Sequence, residues 1–264
     1  MQKKWKRAIG ECMADKEWFE KEKFWLEYGP IMFDSQHWAE APGVAEAVCK
    51  IAELSAGSSI LDACCGPGRI SVELALLGLK VTGVDIMKPF LDAAKETADD
   101  EGVSLDLICS DMRTFETDKK FDAACNLYTS FGYCSSIEED LKILKSIAKC
   151  LKPGACFILE AIGREVAVRN FIEGEWFERA GKTVLTEFTV EGAWEGLRSR
   201  WILIDNKTGE RFEHCFVQRL YSAAELRKLV LECGFESVEI FGGYDLSRYD
   251  QNAKTMVLVA RTPE

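Results

Sequence analysis

The chain has 264 residues, of which 47% are hydrophobic and 29% charged, a balance typical of a globular protein with a sizeable core. Its formal charge is −11 at pH 7, opposite in sign to the basic surface that phosphate binding requires, so a nucleic-acid substrate is disfavoured and a small molecule is expected. No run of roughly 18 to 20 apolar residues predicts a membrane span and no signal-peptide core follows the first residues, so we expect a cytoplasmic location without membrane partners.

The cysteines indicate buried thiols. There are eleven, an odd number, and several such as Cys109, Cys125 and Cys156 lie in apolar runs. No Cys-x-x-Cys pair occurs and only His37 and His214 could assist in holding an ion. We therefore expect a reducing compartment and no metal site.

The first 44 residues are charged and aromatic. Trp18 and Trp25 lie on one face of a helix, which indicates either an amphipathic helix packed on the main domain or a helical lid over a site. We predict an N-terminal helical lid over residues 1–44. Gly29-Pro30 should end its helix, and a second helix should begin near Pro42 and end at residues 56–57.

Strand and helix patterns then alternate. The predicted strands are Ser58–Ala63, Lys80–Val84, Ser104–Cys109, Phe121–Leu127 and Ala155–Ala161, with helices at 69–78, 87–100 and 137–151 between them. Such alternation predicts an α/β fold with a doubly wound, mostly parallel sheet, which binds its ligand at the carboxyl ends of the strands.

The alternation stops after the fifth strand. Strand-like runs at 183–190, 197–205 and 211–220, the last two joined by a turn at 206–209, predict an antiparallel β insertion over residues 163–219 on the substrate side. A helix at 223–233 and strands at 237–241 and 255–260 then return to the sheet. The core domain is thus predicted to comprise residues 45–162 and 220–264.

The segment from Ile60 to Arg69 combines an apolar strand end, an acid and a tight glycine turn that opens into a helix. A dinucleotide-binding turn would carry a third glycine where Ser71 stands. Asp62 would repel a pyrophosphate but suits a ligand with a cationic amino acid portion. An NAD-dependent oxidoreductase is therefore the weaker alternative.

This run resembles motif I of the class I S-adenosylmethionine-dependent methyltransferases, Asp-x-x-x-Gly-x-Gly, with Cys64 where a glycine is frequent. The resemblance covers about residues 30–161 and 220–261 and is closest to the branch that acts on small molecules. It implies a Rossmann-like methyltransferase fold with a seven-stranded sheet, and S-adenosyl-L-methionine as the cofactor.

Acids follow three successive strands around the glycine turn. Asp85 can accept both ribose hydroxyls of an adenosine cofactor, and the resemblance gives Asp111 the adenine amino group, with Ile86 and Met112 against the ring. Each acid alone could be a helix N-cap, but capping does not require this register. The predicted cofactor residues are Asp62, Cys64, Gly66, Pro67, Gly68, Arg69, Asp85, Ile86, Asp111, Met112, Asn126 and Leu127. Arg69 either meets the methionine carboxylate or is a solvated helix residue.

The acceptor side is less defined by sequence. If the acceptor is a hydroxyl or an ammonium, a residue must take its proton, and His37, Tyr28, Tyr128 and His214 are the catalytic candidates by residue type. Glu160, at the end of the fifth strand, could hold a cationic substrate amine or pair with Arg164.

The sequence therefore predicts a methyltransferase that moves a methyl group from S-adenosyl-L-methionine to an oxygen or nitrogen of a small molecule by in-line displacement. The alternatives are a non-catalytic protein that binds S-adenosylmethionine or S-adenosylhomocysteine, and an RNA methyltransferase. The acceptor and the oligomeric state are not predicted.

Overall fold

The computed structural model describes residues 17–264, so the first sixteen residues of the predicted lid lie outside this range. Seven helices follow a short 3₁₀ turn at Trp18–Glu20: α1 Glu22–Met32, α2 Ser35–Ile51, α3 Arg69–Leu76, α4 Lys88–Asp100, α5 Ile137–Cys150, α6 Arg164–Arg169 and α7 Ala223–Glu232. None of the helices in this range is long and apolar enough to cross a membrane.

Eleven strands occur in the same range. They are β1 Ser59–Ala63, β2 Lys80–Asp85, β3 Asp106–Cys109, β4 Phe121–Asn126, β5 Leu151–Ala161, β6 Gly174–Arg179, β7 Lys182–Glu191, β8 Gly196–Asp205, β9 Arg211–Arg219, β10 Ser237–Phe241 and β11 Met256–Arg261. They form a seven-stranded sheet in the order β10-β11-β5-β4-β1-β2-β3 and a four-stranded sheet in the order β6-β7-β8-β9.

The large sheet has the predicted architecture. Strands β1 to β5 pair in parallel, whereas β11 runs antiparallel to β5 and β10 antiparallel to β11. The central strand β1 is almost wholly buried, with Ile60 on one face of the sheet and Leu61 on the other. Helices α2 and α3 pack on the Ile60 face and α5 and α7 on the Leu61 face, so both faces are covered, as parallel sheets require.

The small sheet is antiparallel throughout, as the sequence predicts for the insertion. The predicted turn at 206–209 does join β8 to β9, and Gly209 takes a positive φ of 72° there. The edge strand β6 was not predicted from sequence. Its Trp176 is 70% exposed, so the strand lacks the apolar alternation that marks a half-buried strand.

The two prolines near the N-terminus do not end helices, and both predictions based on them are wrong. Helix α1 continues through Pro30 to Met32, and α2 begins at Ser35 and contains Pro42. A proline inside a helix removes a hydrogen bond and costs about 3 kcal/mol. Both rings face solvent, while the opposite faces of the helices are buried and offset this cost. Helix α2 also crosses the predicted domain boundary between residues 44 and 45.

Candidate active site

A cavity of about 610 Å³ lies between the carboxyl ends of the parallel strands and the inner face of the small sheet. All predicted cofactor residues line it except Gly68 and Asn126. Its size is that of a small-molecule site. We call one part of the cavity the cofactor side, because the loops after β1, β2 and β3 that form it carry predicted cofactor residues. We call the part beneath the small sheet, the predicted substrate side, the acceptor side.

The glycine turn after β1 takes the left-handed backbone region at three positions. Cys64, Gly66 and Gly68 have φ values of 62°, 54° and 77°. A side chain tolerates this region poorly, which explains why a glycine is frequent at the position of Cys64. At Gly68 an added Cβ would lie 2.4 Å from the Cβ of Ala94, so the turn also needs glycine for close packing on α4.

Asp62 is held by the residue that replaces the third glycine of a dinucleotide-binding turn. The Ser71 hydroxyl donates to Asp62 Oδ2 at 2.6 Å, and the Asp62 side chain is nearly inaccessible to solvent. Burial raises the pKa of Asp62 to about 6, against the effect of the Ser71 hydrogen bond. A buried carboxylate of this kind gains from a nearby cation.

Asp85 fixes the glycine turn to the end of β2. Its two oxygens accept the backbone N–H groups of Gly66 and Met87, each at 2.8 Å. Burial raises the pKa of the carboxyl group despite these bonds. Each oxygen can accept a second hydrogen bond, so the carboxylate can still receive the two hydroxyls of a ribose.

Asp111 is joined to the N-terminal turn through an arginine. Arg113 Nε donates to Asp111 Oδ2 at 2.8 Å, and its Nη2 donates to Glu20 Oε1 at 2.6 Å. The same guanidinium lies 5.4 Å from the centre of the Phe19 ring. The 3₁₀ turn at Trp18–Glu20 is therefore fixed to the predicted adenine end of the cavity.

Arg69 is a buried cation. Only 5% of the residue is exposed, its Nη1 donates to the carbonyl oxygen of His37, and its guanidinium lies 3.7 Å from the centre of the Tyr128 ring. It forms no ion pair with a residue in the range 17–264. Because a buried charge is costly without a counter-charge, this arginine suits an anionic ligand group in the cavity.

Asn126 and Leu127 differ in their roles. The Asn126 side chain donates from Nδ2 to the carbonyl of Ala63 at 2.8 Å and lies outside the cavity, so it joins β4 to the end of β1. Leu127 lines the cavity. The Asn126 side chain thus fixes the end of β4 to the end of β1 beside the cavity.

The acceptor side is roofed by alternate residues of β8 and β9. Leu197, Ser199 and Trp201 are two residues apart along β8 and all line the cavity, as do Phe216 and Gln218 of β9. Period-two alternation places these side chains on one face of the small sheet. That face is mainly apolar, with Ser199 and Gln218 as its buried polar groups.

His37 carries the geometry expected of a base. Its Nδ1 lies 2.6 Å from Asp34 Oδ1, and Asp34 Oδ2 in turn pairs with Arg179 Nε at 3.0 Å. Asp34 is also the N-cap of α2 and accepts the backbone N–H of His37, the main reason why its pKa lies below the ordinary value. A carboxylate at Nδ1 leaves Nε2 to act as the proton acceptor.

The other three base candidates have less suitable positions. Tyr28 lies in the core outside the cavity, where its hydroxyl donates to the carbonyl of Trp201 and burial raises its pKa. His214 also lies outside the cavity, among aromatic rings, and burial lowers its pKa to about 4. Tyr128 lines the cavity, but its hydroxyl oxygen is buried and burial raises its pKa.

Several residues of the site were not found from sequence. The partners of two arginines are distant in the chain: Arg113 pairs with Glu20, and Arg179 pairs with Asp34. The role of Asp34 depends on the observed start of α2. The spacing of an acid three residues before His37 was a usable signal, because it is that of an N-cap and its acceptor position. The alternation of residues in β8 and β9 predicts strands but does not predict which surface their apolar face meets.

Comparison with known proteins agrees with this geometry. The sequence pattern of a family described as a methyltransferase domain matches residues 60–154. The cypemycin N-terminal methyltransferase of a Streptomyces species is 26% identical over 223 residues, which cover 77% of this chain and 82% of that protein.

Two solved structures share the fold. An S-adenosylmethionine-dependent methyltransferase from Clostridium acetobutylicum superposes with a TM-score of 0.75 at 17% identity, over 92% of this chain and 98% of that one. An amino pentose methyltransferase from Micromonospora echinaspora, solved with S-adenosylmethionine bound, gives a TM-score of 0.67 at 21% identity over 95% and 100% of the two chains.

The parallel sheet, the acids at its strand ends and the matched methyltransferase domain together define an enzyme that uses S-adenosyl-L-methionine. Over residues 60–154 the chain matches a methyltransferase domain, and it has the fold of solved S-adenosylmethionine-dependent methyltransferases. The predicted family, fold and cofactor are thereby confirmed.

Proposed function

We propose that the enzyme transfers the methyl group to an oxygen or nitrogen of a small-molecule acceptor that enters beneath the small sheet. The observation that carries this proposal is the continuity of the cavity, which extends from Asp62 and Arg69 to His37 and the roof strand β8. Cofactor and acceptor can therefore lie in one continuous space, as in-line transfer requires.

The residues on the cofactor side fit the charges of S-adenosylmethionine. Arg69, which lacks an ion pair within residues 17–264, would hold the methionine carboxylate, and the Asp62 carboxylate would lie on the side of the cationic groups. Asp85 would accept the ribose hydroxyls, and Asp111 and Met112 would border the adenine. When bound, the cofactor supplies a methyl group already activated on a sulfonium.

The protein's own contribution is to orient the acceptor and to remove its proton. We assign the base role to His37, because Asp34 holds its Nδ1 and the residue lines the cavity. Removing a proton in this way is worth about 10²- to 10⁴-fold in rate. The small sheet and residues 17–44 form the substrate side in this proposal.

The names of the related proteins support a small acceptor. One is an N-terminal methyltransferase of cypemycin and another an amino pentose methyltransferase, so both names give an acceptor that carries an amino group. The net charge of −11 in this chain also favours a small molecule over RNA.

The test combines binding with transfer. Calorimetry on the full chain should show micromolar or tighter binding of S-adenosylhomocysteine, and labelled S-adenosylmethionine should give methylated products with members of an acceptor panel. Labelled bulk tRNA or rRNA would instead establish an RNA methyltransferase. Cofactor binding without transfer to any acceptor would favour the non-catalytic alternative.

A further inference from the structure

Glu160 is a further carboxylate that lines the cavity, apart from the predicted cofactor residues. Glu160 stands near the carboxyl end of β5 and lines the cavity together with Ile162. Strand β5 is separated from β1 by β4, so it lies about 10 Å from β1 at a strand spacing of about 4.8 Å. The cofactor acids follow β1, β2 and β3, on the other side of β4. Glu160 is thus on the acceptor side.

The Glu160 carboxylate is held rigidly. Its Oε2 accepts the backbone N–H of Tyr128 and the hydroxyl of Tyr244, each at 2.9 Å, and its Oε1 accepts the hydroxyl of Thr255 at 3.2 Å. These donors come from the loop after β4 and from the segment that leads into β11. A carboxylate fixed from two separate elements is preorganised for a ligand.

All three donors are neutral, and no ion pair within residues 17–264 includes Glu160. Arg164, the partner that sequence spacing suggested, pairs instead with Glu225. On the acceptor side Arg179 is engaged by Asp34, so it does not compensate this charge either. Glu160 therefore offers a carboxylate without an ion-pair partner to the contents of the cavity.

The aromatic walls of the cavity suit a cation with an apolar body. Trp18, Trp25, Tyr133, Trp201 and Phe216 line the cavity, and aromatic faces stabilise an ammonium group as well as apolar carbon. A neutral alcohol would gain little from the Glu160 charge, whereas an ammonium gains a charge-assisted hydrogen bond.

We propose that the methyl acceptor is a primary or secondary amine, and that Glu160 is the residue that selects it by binding its protonated form. This inference rests on the proposed function and narrows it to nitrogen. A chain of contacts connects Glu160 to His37: Tyr128 donates its N–H to Glu160, Arg69 stacks on the Tyr128 ring, and Arg69 donates to the His37 carbonyl.

The chemical step balances with these groups. The ammonium loses one proton to His37 Nε2, which frees the nitrogen lone pair. That lone pair forms the new nitrogen–carbon bond while the carbon–sulfur bond breaks and its electrons return to sulfur. The product is a methylated ammonium and S-adenosylhomocysteine, and His37 releases its proton to solvent.

The experiment uses matched pairs of amines and alcohols with one carbon skeleton, such as benzylamine with benzyl alcohol and cyclohexylamine with cyclohexanol. Binding to the full chain saturated with S-adenosylhomocysteine is measured by calorimetry, and transfer by mass spectrometry. We expect the amines to bind and to be methylated in preference to the alcohols. Glu160→Gln should weaken amine binding or raise its KM about 10- to 100-fold, with S-adenosylhomocysteine affinity unchanged.

Two variants control for structure. Glu165 accepts the Tyr249 hydroxyl at 3.0 Å outside the cavity, so Glu165→Gln makes the same chemical change without an effect on the amine. Tyr244→Phe removes one support of Glu160 but keeps its charge, and should change the amine KM less than Glu160→Gln does.

The outcomes separate the two proposals. Preference for alcohols, no amine binding by the S-adenosylhomocysteine-loaded protein, or an unchanged amine KM in a Glu160→Gln protein that still binds S-adenosylhomocysteine overturns the role of Glu160. Failure of the wild type to bind S-adenosylhomocysteine at all would overturn the proposed function itself.

Discussion

The imidazole Nδ1 of His37 lies 2.6 Å from Oδ1 of Asp34, the residue that caps the helix on which His37 stands. One carboxylate thus begins the helix and orients the ring. Because this arrangement leaves Nε2 as the proton acceptor, we predict that His37→Gln lowers kcat about 10²- to 10⁴-fold while S-adenosylhomocysteine affinity stays within twofold. Rapid-mix product assays and calorimetry measure the two quantities.

His214 provides the matched control, since it is the other histidine of the chain and lies outside the cavity. His214→Phe should leave kcat within about threefold, because a ring of similar shape keeps the aromatic packing. Equal losses in the two variants would contradict a base role for His37.

A substitution of Arg69 should affect the binding of two cofactor-related ligands differently. We expect Arg69→Gln to weaken S-adenosylhomocysteine binding about 10- to 100-fold, because the variant loses a charge-assisted hydrogen bond to the carboxylate. Binding of 5′-methylthioadenosine, which lacks that carboxylate, should change little. Calorimetry with both ligands checks this, and Arg164→Gln, which alters an arginine outside the cavity, is the control. Similar losses for both ligands would show that Arg69 only supports the fold.

Asp62 predicts a pH-dependent cost in the free protein. In the folded state the pKa of Asp62 is raised from 3.8 to about 6, mainly by burial. The contribution of Asp62 to the free energy of unfolding is therefore complete below pH 3.8 and is lost as the pH rises through 6. Asp62→Asn removes this loss. Relative to wild type, the free variant should therefore gain about 2 to 3 kcal/mol of unfolding free energy between pH 4 and pH 7.

Urea unfolding at the two pH values measures that gain. The same variant should bind S-adenosylmethionine at least tenfold more weakly, since the carboxylate facing its cationic groups is gone. If the unfolding free energy of the variant relative to that of wild type fell from pH 4 to pH 7, this would contradict the direction of the pKa shift.

A side chain at Gly68 should lower the free energy of unfolding for both a steric and a conformational reason. Gly68→Ala forces a side chain at φ 77° and places its Cβ 2.4 Å from Ala94 Cβ, so we expect a loss of about 2 to 5 kcal/mol in unfolding free energy. Gly102 has a similar φ of 69° with nothing within 4 Å of an added Cβ. Gly102→Ala should therefore cost only about 1 to 2 kcal/mol. Equal denaturant midpoints for the two variants would show that the contact with Ala94 relaxes freely.

The large sheet was predictable because its strands are short apolar runs separated by helices, and strands of this kind form parallel sheets with helices over both faces. The acids at the ends of β1, β2 and β3 followed from that topology, since parallel strands present their carboxyl ends at one edge. Their partners did not follow. The sequence shows Ser71 only as a departure from the third glycine of a dinucleotide-binding turn, because its hydrogen bond to Asp62 depends on the local turn.

The N-terminal region was harder to predict because tertiary packing overrides local propensity there. Pro30 and Pro42 break helices in isolation, but the buried faces that contain Phe24 and Ala45 keep both helices continuous. The pairing of Asp34 with His37 exists only because α2 begins at Ser35. Side chains of the small sheet follow a regular alternation, yet sequence alone does not say which face meets another domain.

Leu197, Ser199 and Trp201 project from a single strand of the small sheet, while the groups that fit S-adenosylmethionine are held by loops of a different sheet. The roof over the acceptor side and the cofactor loops are therefore encoded in separate stretches of the gene. Under the proposed function, diversification of three alternate codons in β8 reshapes that roof and leaves Glu160 and the cofactor loops unchanged.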